Sequence, residues 1–507
     1  WSYNVANESD YASSSIYNFT TQECVSYKLV NATDSSITGI DHPIQEALDM
    51  ICLDGGVVEL GSGNFNLLLV DYTGLRKNMI TAIAIYDRNN ITLVGQSSEG
   101  VNETLLYLPE EGYAFYVHNS SYLTLSDLHI DNGKIFLHKL SNSIISFLNI
   151  TSLEDGEIAT DGYCLISNTL INNNKIDGGT IYFHGQDHNQ YFPEDGWNQP
   201  DWNNTIRNNY IDAQGFFGIR TDSVTAGLES VTPNIIENNT IINTYNGGIN
   251  IYVSSYQIVR NNTIYTSNQW FRDRMWNGIE LYWSDNAVVA NNRIHSTQKG
   301  IEVEKTRNAM IKNNIIYDLG SETGQNPPYE GIYVCSDASN ISIVNNVISS
   351  CYHDGIFSES VDGDIIIKNN IIVNNGRYGI WDDTTSTSVY YNDVWNNTLG
   401  DYNGTTPGTG DISEDPLFAD PVNGNFHLKS QAGRWNGTDW VNDNETSPCI
   451  DAGDPNSTYS NETYPHGQRI NMGAYGNTPE ASKSPYHKIY LGTEITIHPD
   501  LTRSYPL

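Results

Sequence analysis

The chain is 507 residues long, with 60 acidic and 25 basic side chains and a formal charge of −35. A surface this acidic repels phosphate backbones, which excludes nucleic acid and anionic membranes as partners. No apolar run is long enough to make a transmembrane helix, and the start at Trp1 predicts a processed N-terminus.

Residues 1 to about 40 are rich in Asn, Ser, Thr and Tyr and show no periodic pattern. From Asp41 to Cys52, Ile44, Ala47, Leu48 and Ile51 fall on one helical face, with Asp41 at the cap and Pro43 in the first turn. This helix is expected to plug the first rung of a solenoid formed downstream, whose open end would expose an edge and an apolar interior. Irregular alternating strands begin at Met79, and from Gly178 to Asp383 a fixed phrase recurs. Gly-Ile opens it at Gly218, Gly248, Gly278, Gly300, Gly331, Gly355 and Gly379, with spacings of 30, 30, 22, 31, 24 and 24 residues. A basal unit of about 22 to 24 residues, lengthened by loops, predicts an all-β parallel β-helix solenoid.

Asn-Asn closes the turns at Asn208-Asn209, Asn238-Asn239, Asn261-Asn262, Asn291-Asn292, Asn313-Asn314, Asn345-Asn346 and Asn369-Asn370. Asparagine tolerates left-handed backbone, and stacked copies can bond one another, so an asparagine ladder is expected. Past Val389 the rhythm changes, and DPLFADPVNGNFHLKSQAG, SPCIDAGDPN and RINMGAYG read as irregular terminal rungs with a closing cap. The expected organisation is an N-terminal extension and helical cap over 1–78, the parallel β-helix with its groove over 79–396, terminal rungs and cap over 397–480, and a tail over 481–507. The tail segment HKIYLGTEITIHPD is expected to pair back as an edge strand.

The six cysteines have no metal-ligand spacing and read chiefly as buried free thiols, with a Cys24–Cys52 disulfide as the alternative. About seventeen Asn-x-Ser/Thr sites, among them Asn7, Asn18, Asn403, Asn436 and Asn461 outside the repeat, favour an exported glycoprotein at the cell surface or beyond it.

Placing the glycines in register assigns the outward side chains. The isoleucine after each glycine points inward, so one outward column reads Arg220, Asn250, Glu280, Glu302, Tyr333, Phe357, Trp381. The column beside it reads Asp222, Tyr252, Tyr282, Glu304, Cys335, Glu359, Asp383, with His184 stacked beneath Asp222. Glu280 should stand directly over Glu302 with Glu304 diagonal to it, and stacked like charges make one of a pair hold its proton more readily. A proton-holding acid next to an ionised carboxylate is what glycosidic hydrolysis requires, so Glu280, Glu302, Glu304 and Asp222 are the candidate catalytic groups. The competing reading is a solvated acidic face or a cation site.

Long loops are expected to wall one flank of this face: His184 to Asn204, which carries Asp187, His188, Tyr191, Trp197 and Trp202, then Asn268 to Asn277, then Leu319 to Glu330. Arg220, Arg272 and Arg274 are candidate clamps for carboxylates of an acidic polymer. Tyr252, Tyr282, Trp270, Trp283 and Trp381 are candidate platforms for sugar rings, and His184 a further binding residue. His353 reads as an exposed turn histidine, and Asp382 and Asp383 as subsite or surface residues. No cofactor is implied, and Ca²⁺ enters only in a lyase alternative. No nucleotide-binding glycine loop, zinc-protease helix or nucleophile elbow is present.

The Gly-Ile rungs, the Asn-Asn turns and the closing SPCIDAGDPN and RINMGAYG together resemble the secreted right-handed parallel β-helix proteins of the pectin-lyase-like superfamily. More narrowly, the acidic, sequon-rich chain resembles, from about Ile44 to Gly476, the catalytic β-helix region of disaggregatases from methanogenic archaea. The right hand of the solenoid is implied by that resemblance. So is an endo-acting attack on methanochondroitin, a cell-surface polymer of glucuronate and N-acetylgalactosamine, that releases single cells. The residues favour a hydrolase; a uronate lyase, a C5 epimerase and a non-enzymatic glycan-binding surface solenoid are the alternatives. Nothing in the sequence fixes the oligomeric state.

Overall fold

The computed structural model describes residues 24–31, 43–52, 54–71, 80–100, 103–160, 166–184, 203–215, 217–222, 232–320, 329–384, 386–485, 487–490 and 494–497. Through its centre each rung contributes three short strands. One rung is Asn277–Tyr282, Val288–Ala290 and Arg293–His295; the next is Lys299–Glu304, Met310–Lys312 and Ile315–Leu319. Every strand pairs in parallel with its equivalent one rung on, which generates three sheets around an apolar interior. Parallel pairing also runs upstream of residue 79, where Tyr27–Val30 pairs with Gly56–Leu60 and that strand with Ile91–Val94.

The isoleucine of every Gly-Ile phrase (Ile219, Ile249, Ile279, Ile301, Ile332, Ile356 and Ile380) is fully buried. The preceding glycine is required by close approach rather than by an unusual φ. A Cβ on Gly278 would lie 2.4 Å from Cγ2 of Ile294 and 2.8 Å from the carbonyl oxygen of Gly300, and the same clash recurs at Gly248, Gly331 and Gly355.

The asparagine ladder is present, and the two residues of each Asn-Asn pair divide the work. The first adopts left-handed backbone, with φ between 55° and 58° from Asn208 to Asn369. The second is buried and bonds across rungs: Asn292 donates Nδ2 to Asn314 Oδ1 (3.0 Å) and to Val259 O (2.9 Å), and its backbone N–H also reaches Asn314 Oδ1 (2.9 Å). The row continues through Asn346, Asn370 and Asn392 and ends on Asp411, whose Oδ1 accepts from Asn392 N (2.7 Å). Each buried amide is thereby satisfied by its neighbours, as burial demands.

Helix α1, Pro43–Met50, buries Ile44, Ala47 and Leu48 at the N-terminal end, as the plug reading expects. Its Gln45 accepts from Ala84 N (2.8 Å) and donates to Ala84 O (3.1 Å), pairing backbone groups of strand Ile80–Tyr86. The free-thiol reading is corrected at this end: Cys24 and Cys52 form a disulfide because strand and helix bring their Cα atoms to 4.8 Å. Cys335, Cys351 and Cys449 are free and buried, while Cys164 lies outside the described residues.

Beyond Gly400–Asn403, the last strand of the parallel ladder, the chain turns onto a flank. Phe418, Phe426, Cys449 and Met472 form a second core with Ile315, Val347 and Ile371 of the third sheet. The tail is also corrected: His487–Tyr490 pairs antiparallel with Glu494–Ile497, its own neighbour, instead of adding to the solenoid edge.

Because the glycine column admits no side chain, Gly278→Ala is expected to cost about 1–3 kcal/mol by overpacking. An equilibrium urea titration measures it, and an unchanged midpoint would contradict the close-approach account.

Candidate active site

The first strand of each rung builds the candidate face, and its pairing follows the register read from the sequence. Arg220 pairs with Asn250, Asn250 with Glu280, Glu280 with Glu302, Glu302 with Tyr333, Tyr333 with Phe357 and Phe357 with Trp381. The second column runs His184, Asp222, Tyr252, Tyr282, Glu304 and Cys335 in the same order.

Glu280 and Glu302 therefore occupy adjacent rungs, but their surroundings differ. Glu280 accepts a short hydrogen bond from Asn250 Nδ2. Burial, and then the charge of Glu302, push its carboxyl above the usual glutamate range, while the amides of Asn250 and Asn277 and the Lys299 ammonium pull it partway back. Glu302 is buried and receives Lys299 Nζ at 2.8 Å. Lys299 itself is largely enclosed and lies 5.1 Å from the Tyr333 ring centre. One acid is thus kept neutral more readily, and the other is held beside a cation.

The other two candidate carboxylates have different partners. Glu304 binds Lys305 at 2.9 Å, and Lys305 also donates to Tyr282 OH at 3.1 Å. Asp222, two rung steps before Glu280, binds Arg220 Nη2 at 3.0 Å and accepts from Tyr182 OH at 3.4 Å. The ligand atoms of Glu302, Glu304 and Cys335 lie within 4.8 Å of one another. A thiol suits Ca²⁺ poorly, and both carboxylates already carry an ammonium, so this trio fits Ca²⁺ badly.

The arginines separate. Arg220 stays on the face, over the rings of Phe217 (4.7 Å) and Tyr252 (5.3 Å), beside a cavity of ≈ 250 Å³ that also touches Tyr182 and Thr180. Arg272 instead braces the loop: Nε bonds Gly320 O (3.0 Å), and the two terminal nitrogens bond Asp318 (3.2 and 2.8 Å). Arg274 donates to Trp270 O (2.9 Å) and covers the Trp270 ring at 4.3 Å. That loop contains the short helix α2, Gln269–Arg272, capped by Asn268.

Rung spacing also changes the role of the aromatics. Tyr252 and Tyr282 stack on each other at 4.5 Å and 4°, and Trp381 packs on Phe357 at 4.5 Å with Arg377 over it at 4.7 Å. Their ring faces meet protein, so edges and hydroxyls are what they offer to a ligand. Trp270, Trp276 and Trp283 are half-exposed indoles. His184 stacks with Tyr182 at 5.5 Å. Asp382 is buried and bonds Ser358, Thr384 and Thr387 rather than lying at the surface.

Loop 268–276 sits at the edge where the chain enters its face strand, Asn277–Tyr282. Residues 185–202, with Asp187, His188, Tyr191, Trp197 and Trp202, and residues 321–328 lie outside the described residues. Sequence reasoning passed over Lys299, Glu330 and Arg377 and took His353 for an exposed residue. In the structure Glu330 is 1% exposed, burial pushes its carboxyl up, and His353 Nδ1 lies 3.8 Å from it. The only signal was position: Lys299 and Glu330 each directly precede a rung glycine.

The rungs, the plug and the charged face define a right-handed parallel β-helix, and residues 197–334 match the family model described as right handed beta helix region. Residues 284–453, the stretch that carries Glu302, Glu304 and the C-terminal half of the face, match the model described as disaggregatase related. No curated protein matches the chain. Among solved structures it is similar to the A-module of mannuronan C-5 epimerase AlgE6 from Azotobacter vinelandii, at 16% identity over 76% of this chain and 99% of that one, TM-score 0.42. It is also similar to the catalytic unit of the GH87 alpha-1,3-glucanase of Streptomyces thermodiastaticus (16%, 76% and 69%, 0.43) and to the surface adhesin PfbA of Streptococcus pneumoniae (15%, 72% and 92%, 0.43). These likenesses concern the fold alone.

The Lys299 ammonium pulls the raised Glu280 carboxyl partway back down, so Lys299→Met is expected to move the alkaline fall of the pH–rate profile to higher pH. An unmoved alkaline limb would contradict the role given to Lys299.

Proposed function

We propose that this chain is an extracellular, endo-acting hydrolase of an acidic polysaccharide, and that Glu280 and Glu302 perform the cleavage. The carrying observation is the unequal environment of two carboxylates on adjacent rungs. Glu280 keeps its proton and delivers it to the departing glycosidic oxygen. Glu302, paired with Lys299, acts on the other side as base or nucleophile. Activity falls as pH rises through the elevated Glu280 value, because the acid is then spent before it can donate.

The substrate reading rests on Arg220 at the N-terminal side of the pair and on the disaggregatase-related match. Together they support a uronate and N-acetylhexosamine cell-surface polymer, methanochondroitin-like, whose cleavage frees single cells from aggregates. The Cys24–Cys52 disulfide and the sequons support an oxidising, extracellular setting. Residues 79–396 carry the groove in this reading, with Tyr252, Tyr282, His184, Trp270 and Trp381 lining it and Arg272 and Arg274 holding its loop. A uronate lyase or C5 epimerase is the second reading: Lys299 and Arg220 on the face support it, since that chemistry needs cations to neutralise a uronate carboxylate.

The test is digestion of an acidic uronate and N-acetylhexosamine polymer, following reducing ends and ultraviolet absorbance together. Hydrolysis predicts new reducing ends without absorbance, and a loss of about 10²- to 10⁴-fold in Glu280→Gln and in Glu302→Gln. New ends with absorbance would make the chain a lyase. Binding without new ends would make it a glycan-binding solenoid if the recovered polymer is unchanged, and a C5 epimerase if its uronate composition has changed.

A further inference from the structure

A cavity of ≈ 550 Å³ opens at the edge where the chain enters the face strands, and Arg272, Tyr352, His353, Asn374 and Arg377 line it. In a chain with 25 basic and 60 acidic residues, two arginines and a histidine around one cavity call for an explanation. Arg272 is consumed by Asp318 and Gly320. Arg377 is placed differently. Its ion pair is long, Nη1 to Asp354 Oδ2 at 3.4 Å, its side chain is 33% exposed, and the guanidinium lies over Trp381 on the groove face.

The acids behind it compete weakly for its charge. Asp354 is fully buried, gives its other oxygen to the backbone N–H of Tyr378 (2.8 Å), and is pushed up by burial, as is Glu330 behind His353. Oδ2 of Asp354, Oε2 of Glu330 and Nδ1 of His353 are buried with no hydrogen-bond partner among the described residues. Arg377 therefore faces the cavity with donors to spare, in a planar fork suited to a carboxylate.

We infer that Arg377, with His353 beside it, is a carboxylate-binding subsite at the C-terminal end of the groove, occupied by an acidic sugar of the same polysaccharide chain that is cut at Glu280 and Glu302. The inference rests on the proposed function and extends it. Arg220 and Trp381 are six rung steps apart, about 29 Å at about 4.8 Å per step, and the carboxylate pair lies between them. Arg220 then anchors one acidic sugar before the cleavage point and Arg377 another, three rung steps beyond Glu302. Only chains long enough to reach both arginines gain the second contact.

The test uses the full chain and chondroitin oligosaccharides of increasing length, measuring affinity by titration calorimetry and turnover by reducing ends. Affinity of the wild type is expected to rise at least tenfold at the length that reaches Arg377, in line with one charge-assisted hydrogen-bond pair. Arg377→Gln should abolish that step while leaving affinity for the short oligosaccharides and kcat unchanged, and Arg377→Lys should keep part of it. The double variant Arg377→Gln/Asp354→Asn, which removes the buried carboxyl together with its long ion pair, is included to preserve folding, and it should behave like the single one. A wild type that cuts these chains with no length step, or an Arg377→Gln protein that keeps the step, overturns the subsite and leaves the proposed function standing. A wild type that neither binds nor cuts any acidic polysaccharide removes both.

Discussion

Everything on the functional face depends on a register that cannot slip. A one-residue shift in a parallel coil would send every outward side chain to the interior. Two interactions forbid it. The glycine before each inward isoleucine lets one rung approach the carbonyl of the next, with no room for a methyl group. On the far side of the coil the buried asparagines bond amide to amide and amide to backbone through successive rungs. Glycine supplies proximity and asparagine supplies alignment, so residues 22 to 31 apart in sequence become direct neighbours.

That register is what turns a repeat into chemistry. Two glutamates on adjacent rungs would repel if they shared one environment. Here Lys299 reaches from the edge of its strand to Glu302, while Asn250 and Asn277 surround Glu280 with amide donors. The same stacking that brings carboxylates together brings rings together, which explains why Tyr252 and Tyr282 use their faces on each other. The face is therefore a charged groove edged by aromatic rims more than a row of open platforms.

The strand order, the inward isoleucines and both outward columns were legible in the sequence because alternation has a period of two and each glycine marks a phase. The plug helix was legible from the spacing of Ile44, Ala47, Leu48 and Ile51. What escaped lies in the reach of long side chains and in contacts between distant segments. Arg272 looked available until Asp318, 46 residues away, was seen to bind it. Lys299 and Arg377 each sit next to a rung glycine or one residue from it, where strand alternation does not say which way a side chain turns. The Cys24–Cys52 disulfide depended on how the first strand meets α1, and the flank packing of Phe418 and Phe426 on the third sheet had no periodic trace at all.

The most direct test of the account is a crystal structure of the Glu280→Gln protein bound to an acidic oligosaccharide. The account predicts a sugar chain running along the rungs from Arg220 toward Trp381, with a glycosidic oxygen at the substituted residue and Glu302 facing the neighbouring anomeric carbon. A chain bound on either of the other two sheets, or lying on the face with no glycosidic bond near residues 280 and 302, would contradict it.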